Sequence, residues 1–143
     1  LWDFNNFSFE LSREFRGLRL WLPIKLCGMN VFRQQLEEKR ELAVYMAKQI
    51  ATIPSVEIVH QPDLSLFTFR LVPEGKSEPE INTINRKLIE LINKRKRIYL
   101  SGTEIKGTYL IRACILSHRT HRNRVDEGIE DIQNSIKEIE ALV

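Results

Sequence analysis

The apolar residues of this chain change their spacing several times, and the order of those changes limits the folds that the chain can adopt. Three segments carry apolar residues at the spacing of one helix face. These stripes are Phe32, Leu36, Ala43, Met46 and Ile50; Ile81, Ile84, Leu88, Leu91 and Ile92; and Val125, Ile129, Ile132, Ile136 and Ile139. Between the stripes, short runs alternate apolar and polar residues, which is typical of strands with one buried face. The chain is therefore predicted to interleave helices with short strands.

Four strands are expected, in two antiparallel pairs. Their residue ranges are 56–59, 66–71, 98–103 and 108–116. Gln61-Pro62-Asp63 has the composition of a turn within the first pair, and Lys106-Gly107 has that of a turn within the second. Since helices separate the strand pairs, the predicted fold class is α+β, with an antiparallel sheet of about four strands and helices on one face.

The N-terminal part is predicted to be an extended arm followed by a helix over residues 15–26. The apolar content of that segment suits a mostly buried helix, with Trp21 in the core. Gly28 is expected to end the helix, because glycine adopts the left-handed conformation readily. We therefore predict that residues 1–28 form an arm and a helix, and that residues 29–143 form a small α+β domain.

Composition and charge exclude several classes of protein. The formal net charge is +3, and no apolar run approaches the roughly 20 residues that a membrane-spanning helix needs. Cys27 and Cys114 are too few for a disulfide framework and are predicted to be buried free thiols. The three histidines have no zinc-ligand spacing with these cysteines. We expect neither a membrane contact nor a metal site.

Residues 12–21 read Ser-Arg-Glu-Phe-Arg-Gly-Leu-Arg-Leu-Trp. This segment resembles the Arg-Arg-Phe-Arg-x-Leu-Lys-Leu-Trp stretch of the group II amino-acid decarboxylases that depend on pyridoxal 5'-phosphate (PLP). That family includes the aromatic-L-amino-acid, histidine and glutamate decarboxylases. Phe67-Thr68-Phe69-Arg70-Leu71, the helix from Asn85 and Tyr109-Leu110-Ile111-Arg112 are similar to later motifs of the family, in the same order. Phe15-Arg16 resembles the aromatic branch.

The resemblance runs over residues 3–132 and implies the small C-terminal domain of a fold-type I PLP enzyme. It departs from the family pattern at Ser12, at Pro23 and at Lys25-Leu26-Cys27, which leaves the subfamily and the substrate open. The intact enzyme implied is a decarboxylase, a carbon–carbon lyase, acting on an aromatic L-amino acid. In this family the PLP-binding lysine lies in a His-Lys motif of a large domain, and no histidine here precedes a lysine.

From this resemblance we expect PLP to be bound by a large domain outside the sequence, so that the segment alone is inactive. No catalytic residue and no metal ligand is expected within it. The implied partners are its own large domain, an amino-acid substrate and the second subunit of a homodimer. The expected location is the cytoplasm.

Three residues near the start are candidate contacts for the rest of such an enzyme. Ser12 lies where the family's chain passes the cofactor phosphate across the dimer interface, and is predicted to contact that phosphate; a helix N-cap is the alternative. Arg13 and Arg16 are predicted to lie in the interface with the large domain or the partner subunit. Solvated surface arginines are the alternative for this pair.

Arg112 is the candidate for substrate binding. Strand alternation places it on one face with Leu110 and Cys114, between apolar neighbours, where an arginine is costly unless it is paired. In similar enzymes the corresponding arginine lies near the mouth of the active site, which implies contact with a substrate carboxylate. A buried structural salt bridge within the domain is the alternative.

A different class of function also fits part of the sequence. Residues 94–97 are four consecutive cations after the second helical stripe, where they complement the negative end of the helix dipole. The same run suits a free-standing α+β module, regulatory or RNA-binding, with Phe67 and Phe69 stacking on bases. Nucleic acid is nevertheless the less expected partner, because the dipole already accounts for part of the charge.

Overall fold

The computed structural model describes Phe7, Phe9 and residues 14–141. This part of the chain contains four helices and four strands. They are α1 (Leu18–Cys27), α2 (Met29–Ile50), β1 (Val56–Asp63), β2 (Leu66–Leu71), α3 (Glu78–Lys94), β3 (Ser101–Ile105), β4 (Thr108–Cys114) and α4 (Arg122–Glu140). The strands form one antiparallel sheet in the order β1-β2-β4-β3, which confirms the α+β class and the four strands.

The hydrophobic core lies on one face of this sheet. Alternation along β2 and β4 directs Phe67, Phe69 and Ile111 to that face, and each of them is fully buried. Helices α2, α3 and α4 supply the other side of the core, and α4 buries all five apolar residues of its predicted stripe. The prediction of helices on one face is therefore confirmed.

Three asparagines attach α3 to the sheet. Asn85, which is fully buried, accepts a hydrogen bond from the N–H of Leu71 and donates one to the carbonyl of the same residue, each at 2.8 Å. Asn93 binds both backbone groups of Leu100 in the same way, at 2.8 and 2.9 Å. Asn82 bonds to the backbone at and beside the β3–β4 turn, at 2.7 Å. These amides satisfy backbone groups where the ladder of the sheet ends.

The first predicted turn is wrong, and the second is confirmed. Residues 61–63 belong to β1, and the chain reverses later, at Leu64-Ser65, where Leu64 has a positive φ of 53°. β1 is an edge strand with two register irregularities, a setting in which Pro62 needs no ladder hydrogen bond. At the second hairpin Lys106-Gly107 forms the turn, with φ of 51° and 82°.

The buried stripe of α2 differs from the predicted one. Leu36 is 72% exposed, whereas Lys39, which interrupts the apolar row, is only 5% exposed. The Lys39 ammonium donates to the Thr120 carbonyl at 2.6 Å and to the Glu38 carboxylate at 2.8 Å. Glu38 is also 2.7 Å from Nδ1 of His121, the N-cap residue of α4. Burial of the lysine is tolerated because polar partners surround its charge.

The chain divides into two compact units, Leu1–Gln34 and Gln35–Val143. In the first unit α1 buries none of its residues and Trp21 is 57% exposed, so the prediction of a mostly buried helix with Trp21 in the core is wrong. Gly28 follows α1 with a φ of 79°, as predicted for the residue that ends the helix. Five of the ten residues of α1 are large apolar residues that are exposed, and such a concentration is typical of an interaction site. The predicted domain boundary after residue 28 stays a prediction.

Candidate functional site

Four polar side chains form a row across the face of the sheet opposite the core. Strand pairing aligns His60 on β1, Thr68 on β2, Arg112 on β4 and Ser101 on β3. The residues on either side of Thr68 and of Arg112 are buried in the core, so these two side chains lie on the other face. We call these four residues the sheet-face row. Within it, Nδ1 of His60 is 2.7 Å from Oγ1 of Thr68.

Arg112 occupies an inner position of the sheet-face row and is exposed. It shares its face with Leu110 and Cys114, as alternation predicts. Among the described residues its guanidinium has no hydrogen-bond or ion-pair partner. The alternative of a buried structural salt bridge at this position is therefore wrong.

The second arginine on this face is already neutralised. Arg70 pairs with Glu57 at 2.8 Å and with Glu78 at 2.6 Å. Burial acts to lower the pKa of the Arg70 guanidinium, but the hydrogen bonds to the two carboxylates outweigh burial and raise that pKa. Within the described part of the sheet face, Arg112 is thus the cation that stays open to an anionic ligand.

The sheet-face row suits binding of a carboxylate. A guanidinium can donate two parallel hydrogen bonds to a carboxylate, and the hydroxyl of the adjacent Ser101 can donate another. The Thr68 hydroxyl, in contrast, belongs to a residue that is only 4% exposed and is bonded to His60. The row can therefore bind and orient an anion, whereas the buried Thr68 hydroxyl of its one histidine–hydroxyl pair is not accessible to an external reactant.

The structure describes only one of the other three predicted site residues. Ser12 and Arg13 lie outside the described residues, so the phosphate contact and the interface role stay predictions. Arg16 is described and exposed, with no side-chain partner among the described residues. Its interface role stays a prediction too.

Sequence reasoning missed His60, Thr68 and Ser101 as neighbours of Arg112. Each lies on a different strand, and their alignment depends on register, which a shift of one residue would invert. The available signal was the polar Thr68 between Phe67 and Phe69, which marks the face opposite the core.

The basic run at residues 94–97 is engaged within the fold. Arg95 pairs with Glu138 and Arg97 with Asp131, and both acids lie on α4. The two phenylalanines of β2 that were predicted to stack on bases are fully buried. The RNA-binding alternative therefore loses its aromatic pair and the free charge of two of its four cations.

The described residues do not form a PLP site. Such a site needs a lysine amine in a pocket, with a carboxylate for the pyridine nitrogen. Lys39 is the one buried lysine in the described part of the chain, and its amine is bound to the carbonyl of Thr120 and to Glu38. Residues outside the described part of the chain would have to hold PLP.

Three further expectations can be compared with the structure. Cys27 and Cys114 are free but exposed, so the prediction of buried thiols is wrong. Within residues 14–141 and at Phe7 and Phe9, no cluster of three histidine, cysteine or acidic side chains is suited to a metal ion. No helix of the same residues combines the length and the apolar character that crossing a bilayer requires.

Comparisons with known proteins agree with the sequence motifs. The model of the family described as pyridoxal-dependent decarboxylase conserved domain matches residues 1–72. An aromatic-L-amino-acid decarboxylase of Bacillus atrophaeus is 37% identical over 119 residues, which are 82% of this chain and 25% of that protein. The chain spans about a quarter of the length of the curated relatives it matches.

Two solved structures extend the similarity to the fold. Tryptophan decarboxylase of Catharanthus roseus in complex with L-tryptophan superimposes with a TM-score of 0.84 at 27% identity, covering 95% of this chain and 29% of that one. The 4-hydroxyphenylacetaldehyde synthase of Rhodiola rosea gives a TM-score of 0.85 at 27% identity, covering 97% of this chain and 30% of that one.

Proposed function

This chain belongs to the pyridoxal-dependent decarboxylase family, and on that basis we propose that it is the C-terminal small domain of a PLP-dependent decarboxylase of aromatic L-amino acids. Its fold matches the C-terminal domain of such enzymes. PLP, which serves as the electron sink in these enzymes, would be held by residues outside this sequence. The relatives are about four times as long as the matched segment, which leaves room for a cofactor domain.

The exposed guanidinium of Arg112 is the observation that supports a role for this domain in the active site. An exposed, unneutralised guanidinium on a sheet face gains most when it meets an anion, and an amino-acid substrate presents a carboxylate. The neighbouring Ser101 hydroxyl would add a donor to the same group. In this proposal Arg112 binds and orients the substrate, and the bond-breaking chemistry belongs to the rest of the enzyme.

We further propose that α1 contacts the large domain of the same chain or the second subunit of a homodimer. The exposed apolar residues of α1 support this proposal. Leu20, Trp21 and Leu26 are each more than half exposed, and Arg16 precedes them on the chain. Such a surface is stabilised when a partner covers it. A cytoplasmic location is consistent with two exposed thiols that remain unpaired, because a reducing compartment keeps thiols free.

The test uses the full-length protein encoded by the same gene, loaded with PLP and supplied with L-tyrosine, L-tryptophan and L-phenylalanine. We expect release of carbon dioxide. Replacing Arg112→Gln should lower kcat/KM by about 10- to 100-fold, the loss expected for a charge-assisted hydrogen bond. Arg112→Lys should restore part of that loss, because the ammonium keeps the charge but not the fork geometry.

Arg40→Gln is the matched control, since Arg40 is an exposed arginine of α2 with no partner among the described residues. Its kcat/KM should match that of the unaltered enzyme. A full-length protein without PLP-dependent release of carbon dioxide refutes the proposed function. If carbon dioxide is released and Arg112→Gln behaves like Arg40→Gln, the family assignment stands but the role of Arg112 does not. Product analysis for amine or aldehyde separates a decarboxylase from a synthase of the kind seen in Rhodiola rosea.

A further inference from the structure

A cleft of about 350 Å³ lies beside the sheet, and none of the four residues of the sheet-face row lines it. Its walls come from residues 97–100, from the end of β4, from the loop that follows β4 and from the first turn of α4. That volume is at the lower end of the range of small-molecule sites. We call it the arginine cleft.

The lining of the arginine cleft combines apolar and cationic groups. Met46 and Val125 are among the apolar side chains in its floor. Three arginines also line it, Arg97, Arg119 and Arg124, whereas no described carboxylate does. An apolar cavity with convergent cations is selective for an anion that carries an apolar body.

The three arginines are not equivalent. Arg97 is paired with Asp131, and Arg124 with Glu127 at 2.7 Å, and these acids lie outside the lining. The Arg119 guanidinium is exposed and has no partner among the described residues. Arg119 is therefore the group in the cleft best able to bind a carboxylate in bidentate fashion.

Hydrogen bonds and close packing to the rest of the domain fix both walls of the arginine cleft. On one wall, Asn93 binds both backbone groups of Leu100. Gly128 of α4 lets Ile98 of the same wall pack closely against the helix, because a Cβ at residue 128 would lie 3.1 Å from the Ile98 side chain. On the other wall, the carbonyl of Thr120 accepts a hydrogen bond from the buried Lys39 at 2.6 Å. A cleft fixed in this way loses little entropy when a ligand binds.

We infer that the arginine cleft binds carboxylates that are attached to an aryl or alkyl body and carry no amino group. The carboxylate would lie on Arg119 and the apolar body on the floor near Met46. An amino acid fits less well, because its ammonium group would lie near the unpaired Arg119 and find no lining carboxylate. The ligand class differs from the substrate in the proposed function, and the cleft is lined by other residues than the sheet-face row, so the inference does not depend on the proposed function.

The probe is 3-phenylpropionate, which has the skeleton of L-phenylalanine without the amino group. It is titrated into the 143-residue chain while backbone amide shifts are recorded by NMR, up to about 10 mM, where a Kd near 1 mM gives almost full occupancy. We expect saturable shifts at residues 114–125. Arg119→Gln should weaken binding about tenfold, in line with the loss of a charge-assisted hydrogen bond.

Two ligands and one variant serve as controls. L-Phenylalanine and the neutral 3-phenylpropanamide should each bind at least about tenfold more weakly than 3-phenylpropionate. Arg40→Gln should leave the affinity unchanged. The inference is overturned if residues 114–125 show no saturable shifts, if Arg119→Gln binds as well as Arg40→Gln, or if L-phenylalanine binds equally well. Amide spectra of Arg119→Gln in the absence of ligand verify that the variant is folded.

Discussion

Replacing Asn85→Ala should be among the most destabilising single changes in this chain. The amide of Asn85 satisfies both the N–H and the carbonyl of Leu71, a residue that is 1% exposed. Alanine leaves both backbone groups without a partner and without access to water. Each orphaned group costs about 1–3 kcal/mol, so we expect the free energy of unfolding to fall by about 4 kcal/mol. For a small domain whose total stability is about 5–15 kcal/mol, the loss is large.

Urea denaturation followed by circular dichroism measures this loss as a shift in midpoint at constant slope. Asn134→Ala is the matched control, because Asn134 is exposed on α4 and has no partner among the described residues. Its free energy of unfolding should change by no more than about 0.5 kcal/mol. A loss below about 1 kcal/mol for Asn85→Ala would falsify the view that this amide replaces a missing ladder partner.

A second variant at the same position tests the donor separately from the acceptor. Asn85→Asp keeps an oxygen for the Leu71 N–H, but an ionised carboxylate cannot donate to the Leu71 carbonyl. Burial raises the pKa of such a carboxyl above its unfolded value of about 3.9. The penalty is therefore largest at neutral pH and is relieved as the pH falls toward about 4. A destabilisation that does not change with pH contradicts this account.

Two further predictions concern side chains that pack or pair across elements. Gly102→Ala should lower the melting temperature by several degrees, because its Cβ would overlap the hydroxyl of Tyr109, a residue that is only 8% exposed. Gly17→Ala, whose Cβ would lie 3.5 Å from its nearest neighbour, should be almost neutral. Hydrogen bonds from Lys39 and His121 hold the pKa of Glu38 below its ordinary value of 4.5, so Glu38→Gln should cost stability at pH 7 and lose that effect as the pH falls below 4.5. An equal effect at both pH values, or no effect at either, contradicts this assignment of the pair.

The order and type of most elements follow from the sequence because they depend on local spacing. The stripe of α4 is buried at every predicted position, and Lys106-Gly107 forms its predicted turn. The errors occur where a local rule met a non-local environment. Pro62 suggested a turn, yet an edge strand tolerates proline. Lys39 interrupted an apolar stripe, yet its buried ammonium is accepted by the adjacent Glu38 and by the carbonyl of the distant Thr120.

The sequence by itself determined the fold class, the order of the elements after residue 28 and the family, because periodicity and short motifs are carried by neighbouring residues. Only the tertiary structure decided which polar groups meet. Arg112 was recognisable from its motif, but its place beside Ser101 and Thr68, open to solvent and without a described partner, follows from strand register. The asparagines of α3 likewise gain their partners from backbone that lies elsewhere in the chain. Such contacts join residues of different elements, and a pattern within one segment holds no information about the register that brings them together.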